Sequence, residues 1–144
     1  ITGVPDLPGV AFKILGPIAD ANIEVDMIVQ NIADDATTDF TFTVHRNDYQ
    51  RAKTILDETC VELGARKVTG DNNIVKVSIV GVGMRSHAGI ASTMFKTLAA
   101  EGINIRMIST SEIKISVVVD EKYLELAVRA LHAAFELDKA AEEA

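Results

Sequence analysis

The chain repeats itself, and this restricts its fold more than any other feature. Shifted by 80 residues, Gly9 falls on Gly89, Ala11 on Ala91, Ala19 on Ala99, Ile23 on Ile103, Met27 on Met107 and Ile28 on Ile108. Val10 and Ile90, Leu15 and Phe95, Ile18 and Leu98, and Val25 and Ile105 also agree in apolar character. Beyond Ile28 the shift drops to 75, so that Phe40 meets Ile115, Phe42 meets Val117, Val44 meets Val119, Ala52 meets Ala127 and Leu56 meets Leu131. The first copy thus carries five extra residues within the stretch 32–39. A period of this length marks two copies of one supersecondary unit.

Both copies read alike. Residues 1–4 and 74–82 are β-rich, and Val75, Val77 and Ile79 alternate with Lys76 and Ser78 as in a half-buried strand. Residues 5–9 and 83–89 are loops. Val10, Ile14, Ile18 and Ala21, and then Ile90, Met94, Leu98 and Ala99, recur at helical spacing. Pro17 inside the first of these predicts a kink or break. Strands are predicted at 23–30, 39–44, 103–110 and 113–119, with a tight hairpin at Ser111-Glu112. Helices follow at 48–63 and 121–135, with Asp48 as N-cap and Gly64 as C-terminal cap. A short strand at 66–69 closes the first copy, while the second stops after its last helix.

The order β-α-β-β-α-β is the split β-α-β, or ferredoxin-like, arrangement: an α+β fold whose antiparallel sheet carries both helices on one face. The expected organisation is a first unit at 1–70, a linker at 71–73, a second unit at 74–136 and a charged tail at 137–144. Units this small bury modest cores, so pairing between units is expected.

Composition narrows the function. Fourteen Lys and Arg stand against 21 Asp and Glu, a net charge of −7. That balance lacks the electrostatic footprint for nucleic acid or for an anionic membrane surface. The single cysteine, Cys60, makes no internal disulfide and fits a cytoplasmic setting. No signal peptide opens the chain, and Ile1 in place of Met points to a fragment of something longer.

Catalytic chemistry is sparse. His45, His87 and His132 have no partners at metal-ligand spacing, so no metal or cofactor is expected. No phosphate-binding P-loop exists, and Gly81-Val82-Gly83 meets Ser86 where a dinucleotide fingerprint needs glycine. Cys60 lies among Ile55, Leu56 and Leu63 and reads as a core residue. Phe40 and Phe42 share one strand face, but no basic residue accompanies them, which favours core packing over base stacking.

The loops before the first helices say more. Pro5-Asp6-Leu7-Pro8-Gly9 and Met84-Arg85-Ser86-His87-Ala88-Gly89 hold equivalent places. Glycine at a helix start permits close approach to the backbone, and the N–H groups there suit a carboxylate. Asp6, Asp26 and Glu112 are available for an ammonium. Together these describe a free amino acid. The plainer reading is a Pro-Gly turn with Asp6 capping the helix.

The tandem units, with Val4-Pro5-Asp6-Leu7-Pro8-Gly9-Val10-Ala11, resemble ACT domains. The stretches 26–31, 38–42, 81–84 and Ile108-Ser109-Thr110-Ser111-Glu112-Ile113 resemble, more narrowly, the regulatory part of the aspartokinases. The resemblance covers nearly the whole chain. It implies a module that senses threonine and lysine and shuts down phosphorylation of aspartate by ATP. It also implies homodimers in which ACT units of two chains join side by side into a continuous sheet, and a catalytic domain or subunit as partner.

By the same resemblance, Asp6, Pro8, Gly9 and Ala11 line one effector site, approached by Gln30, Asn104 and Ile105. Ser86, His87 and Gly89, with Asp26, Ser111 and Glu112, line a second. Asp26 and Glu112 would take the ammonium of lysine. The second loop, Ser86-His87-Ala88-Gly89, departs from the family's D-x-P-G pattern, which leaves open a different ligand or an empty site there. No nucleotide site is present, and the chain alone is expected to be non-catalytic. Two other readings stay open on residues alone: a stand-alone ACT regulator or small subunit of another biosynthetic enzyme, and an enzyme or RNA-binding protein on the same scaffold.

Overall fold

A computed structural model describes residues 1–81 and 87–143. The chain divides into two compact units, Ile1–Asn72 and Asn73–Ala144. The first contains β1 (Val4–Pro5), α1 (Val10–Asp20), β2 (Val25–Ile32), β3 (Thr37–Val44) and α2 (Tyr49–Leu63). The second contains β4 (Ile74–Val80), α3 (His87–Ala100), β5 (Met107–Thr110), β6 (Lys114–Asp120) and α4 (Leu124–Glu143). Each sheet is antiparallel and three-stranded, in the orders β1-β3-β2 and β4-β6-β5.

Each unit has its own core. Ile14 and Ile18 of α1 and Ala52 and Leu56 of α2 pack with Val4, Ile23 and Phe40. Met94 and Leu98 of α3 and Ala127 and Leu131 of α4 pack with Val77, Ile115, Val117 and Val119. Both helices of a unit therefore cover the same sheet face, as the ferredoxin-like reading requires. Phe40 is buried in the first core with Phe42 against it, so the pair serves packing. Cys60 is half-buried, its thiol donating to the Ala65 carbonyl at 3.5 Å.

Several expectations need correction. The first strand is interrupted. Ile1 exchanges backbone hydrogen bonds with Phe40 (2.8 and 2.9 Å) and Val4 pairs with Thr38, but Gly3 between them takes a left-handed φ of 67°. One extra residue in the strand forces this bulge, and glycine accommodates it. The strand expected at 66–69 shrinks to one bridge, Thr2 to Lys67. Among the described residues neither copy has a sixth element, the fourth strand of the β-α-β-β-α-β order. Residue 82 of the strand expected at 74–82 lies outside the described residues, as does most of the loop after it.

Helix α1 runs unbroken through Pro17. Gly16 before it has no Cβ to meet the proline ring, and Ile14 and Ile18 on either side are fully buried. Asp48 does not cap α2 with its side chain. A 3₁₀ turn, Arg46–Asp48, comes first, and the Asp48 carboxylate instead pairs with Arg51 at 2.8 Å. His45 starts that turn, its Nδ1 accepting from the Asn47 N–H at 3.4 Å. Gly64 does terminate α2 in the left-handed conformation, with Ala65 donating to Cys60 O. β2 and β5 begin two and four residues later than expected. Helix α4 continues to Glu143 in place of ending at Phe135, because the Ala- and Glu-rich stretch after it contains no Gly or Pro to stop it.

Candidate functional site

The loop after β1 is built by short backbone bonds. The Asp6 N–H donates to Ala36 O (3.0 Å), Leu7 N–H to Pro5 O (3.0 Å) and Val10 N–H to Leu7 O (3.1 Å). Gly9 then turns at φ 84° and starts α1, its carbonyl accepting from Lys13 N–H at 3.1 Å. A Cβ at Gly9 would meet nothing within 4 Å, so the backbone there lies open. Asp6, Leu7, Pro8, Gly9 and Ala11 are all exposed.

Asp6 does not cap the helix. No side chain does, and no acid occupies the first turn. The positive end of the helix dipole, with the N–H groups of its first turn, thus faces outward without a carboxylate of its own. That arrangement can bind a small anion, with the Asp6 carboxylate beside it for a cationic group.

Gln30 lies at the same end of the first unit, one strand across. Its side chain donates to Thr38 Oγ1 at 3.1 Å, and Thr38, fully buried, pairs with Val4 at the root of the loop. Asp26 is exposed at the far end of β2, beyond an irregularity in the pairing between Val25 and Ile28. Four residues of strand, about 13 Å, separate it from Gln30, so within its own unit it stands away from the Asp6 loop.

In the second unit, Gly81 donates to Ile113 O (2.9 Å), tying the start of the loop to the tight hairpin between β5 and β6. Ser111 and Glu112 are exposed at that hairpin, with Ser111 N–H donating to Lys114 O at 2.7 Å. His87 is the first residue of α3, and Gly89, in the first turn, is exposed. Helix start and hairpin therefore share one end of the unit. Ser86 lies outside the described residues. Asn104, exposed, and Ile105, packed on the core, precede β5 at the opposite end.

Sequence reasoning missed the group that closes the turn carrying Ala36, whose carbonyl accepts from Asp6. Asp35 Oδ1 accepts from both the N–H (3.2 Å) and the hydroxyl (2.5 Å) of Thr37, and its Oδ2 faces Arg66 at 3.5 Å. The Thr37 hydroxyl bond, helped by the Thr37 N–H and the Arg66 charge, lowers the Asp35 pKa below the usual carboxylate value. Ala36 between them is left-handed, φ 63°. These residues fall in the five-residue excess of the first copy, and that excess was the available signal.

Among the described residues no cluster of His, Cys, Asp and Glu is arranged to hold a metal. No helix among them is long and apolar enough to cross a membrane.

Comparison with known proteins agrees with the geometry. Residues 1–61 and 77–135 each match the ACT domain. The chain is 73% identical over 143 residues to an aspartokinase of Pseudomonas aeruginosa, covering 99% of this chain and 35% of the relative. It is 53% identical over 137 residues to an aspartokinase of Helicobacter pylori, covering 95% and 33%. It thus spans about a third of the length of these relatives.

Two solved structures match most of their own length. A crystal structure of aspartokinase alpha and beta subunits aligns with TM-score 0.88 and 61% identity, over 94% of this chain and 89% of that one. The ligand-free regulatory subunit of aspartate kinase from Thermus thermophilus aligns with TM-score 0.84 and 41% identity, over 92% and 87%. With two ACT units of the right topology and these relatives, the chain belongs to the aspartokinase family, as part of its regulatory ACT region.

Proposed function

We propose that this ACT pair binds the end-product amino acids threonine, lysine or both at ACT–ACT interfaces, and thereby inhibits phosphorylation of aspartate by ATP. The observation that carries the reading is the exposed, uncapped start of α1 at Gly9, with Asp6 beside it, in a chain of this family. The helix N–H groups would hold the α-carboxylate and an acidic side chain the ammonium. Asp6, Pro8, Gly9 and Ala11, with Gln30, Asn104 and Ile105, make up the first site of the reading. Ser86, His87 and Gly89, with Asp26, Ser111 and Glu112, make up the second, and the units of a homodimer would bring each set together. The catalytic domain or subunit of the kinase is the partner, and the cytoplasm the setting.

Inhibition requires that the effector bind one arrangement of the enzyme better than the other. A coupling of about 1–3 kcal/mol would change affinity roughly 5- to 150-fold.

Calorimetric titration with threonine, then lysine, each alone and with the other present, tests the reading. Saturable binding of either amino acid is the expected result. Asp6→Ala and Glu112→Ala each remove one partner of a charge-assisted bond, worth about 1.5–3 kcal/mol. Each should weaken binding of its effector roughly ten- to hundredfold while leaving the circular dichroism spectrum unchanged. Unchanged affinity in both variants removes these residues from the site. No binding by a folded chain points to an ACT scaffold used only for assembly, or to sites completed by the kinase part.

A further inference from the structure

Both units tie the root of the first loop to the hairpin turn at the same end of the sheet: Asp6 N–H to Ala36 O in one, Gly81 N–H to Ile113 O in the other. The turns themselves differ. Three residues, Ser111-Glu112-Ile113, join β5 to β6, and four, Ala33-Asp34-Asp35-Ala36, join β2 to β3. The longer turn needs something to fix its shape, and Ala36 sits in a conformation that L-residues disfavour.

The Asp35 carboxylate supplies the constraint. It closes on Thr37, which flanks Ala36 on the far side, and Ala33 N–H donates to Thr37 O at 2.9 Å. Arg66 reaches Asp35 from outside the hairpin, its own N–H on Thr2 O at 2.8 Å and its stem against Gly3. Asp35 and Arg66 are more than half exposed. Ion pairs so exposed contribute little to global stability. What this one does do is connect residue 66, the bulge at Gly3 and the turn that presents the Ala36 carbonyl to Asp6.

We infer that Asp35, acting through Thr37 and Arg66, is a positioning residue for the Asp6-Leu7-Pro8-Gly9 loop, and so sets effector affinity from outside the site. The inference rests on reading that loop as an amino-acid site.

Two measurements on the 144-residue chain separate the two. The first is hydrogen exchange of the Asp6 amide without ligand. The second is calorimetric affinity for threonine and lysine. Asp35→Ala should speed Asp6 exchange about tenfold, with the core amides of β3 unaffected. It should weaken binding of the effector that uses this loop about five- to tenfold. Asp35→Asn keeps an acceptor for Thr37 and should recover most of both, which a change in bulk stability would not produce. Unaltered Asp6 exchange in Asp35→Ala overturns the inference, as does faster exchange with unaltered affinity. Faster exchange in a chain whose parent binds neither amino acid upholds the positioning role and overturns the effector reading.

Discussion

Gly3→Ala will destabilise the chain by about 2–5 kcal/mol, far more than its one methyl group suggests. Two costs combine. A left-handed φ of 67° costs an L-residue about 1–2 kcal/mol. The added Cβ would also lie 2.7 Å from Arg66 Cβ and 3.3 Å from Arg66 N. Cβ and backbone atoms cannot swing aside as a side-chain end can, so either the bulge or the Thr2–Lys67 bridge must yield. Overpacking of this kind costs about 1–3 kcal/mol.

Gly9→Ala provides the control. Its φ is 84°, but nothing lies within 4 Å of its Cβ. It should lose only the conformational part, about 1–2 kcal/mol. Urea unfolding of both variants, read as midpoints at constant slope, measures the difference. Equal losses at the two glycines would show that the Gly3–Arg66 contact relaxes without cost.

Most of the fold could be read from residues because its determinants are local and were written twice. The buried pairs Ile14 and Met94, Ile18 and Leu98, and Ile23 and Ile103 are equivalent positions in the repeat, and each falls in the core of its unit. What escaped depended either on partners distant in sequence or on local competition between two signals. The Gly3 bulge is set by pairing with residues 38–40 and 67, and its own neighbours give no hint of it. Asp48 has the right type and place for a cap, yet Arg51 one turn on competes for the carboxylate. Pro17 argued for a break, and burial of Ile14 and Ile18 outweighed it.

The candidate site was legible in the same uneven way. Asp6, Pro8 and Gly9 announce themselves as a loop before a helix. Their anchor at Ala36 appeared in the sequence only as a difference in length between the copies. Asp26 and Gln30 share β2 but were assigned to different sites, and the strand carries them apart, Gln30 towards the Asp6 loop and Asp26 away from it.

Ile14→Ala should remove more than a cavity's worth of stability, because α1 has little else to hold it. Gly16 and Pro17 inside an 11-residue helix cost about 1 and 3 kcal/mol relative to alanine. No side chain caps its start, and no acid in its first turn or base in its last complements the dipole. The helix persists because Val10, Ile14 and Ile18 are buried. Truncating a fully buried isoleucine costs about 2–5 kcal/mol, and here the upper half of that range is expected. Met94 is the equivalent residue of the second unit, also fully buried, in a 14-residue helix with no proline. Met94→Ala creates a comparable cavity in a helix that can stand the loss. Hydrogen exchange distinguishes the two. In Ile14→Ala the amides of α1 should open before those of β3, taking the Gly9 turn and effector affinity with them. In Met94→Ala the amides of α3 and β6 should open together. If α1 and β3 also open together in Ile14→Ala, the remaining contacts of α1 keep it in one cooperative unit with the sheet, and the start of α1 does not depend on Ile14 alone.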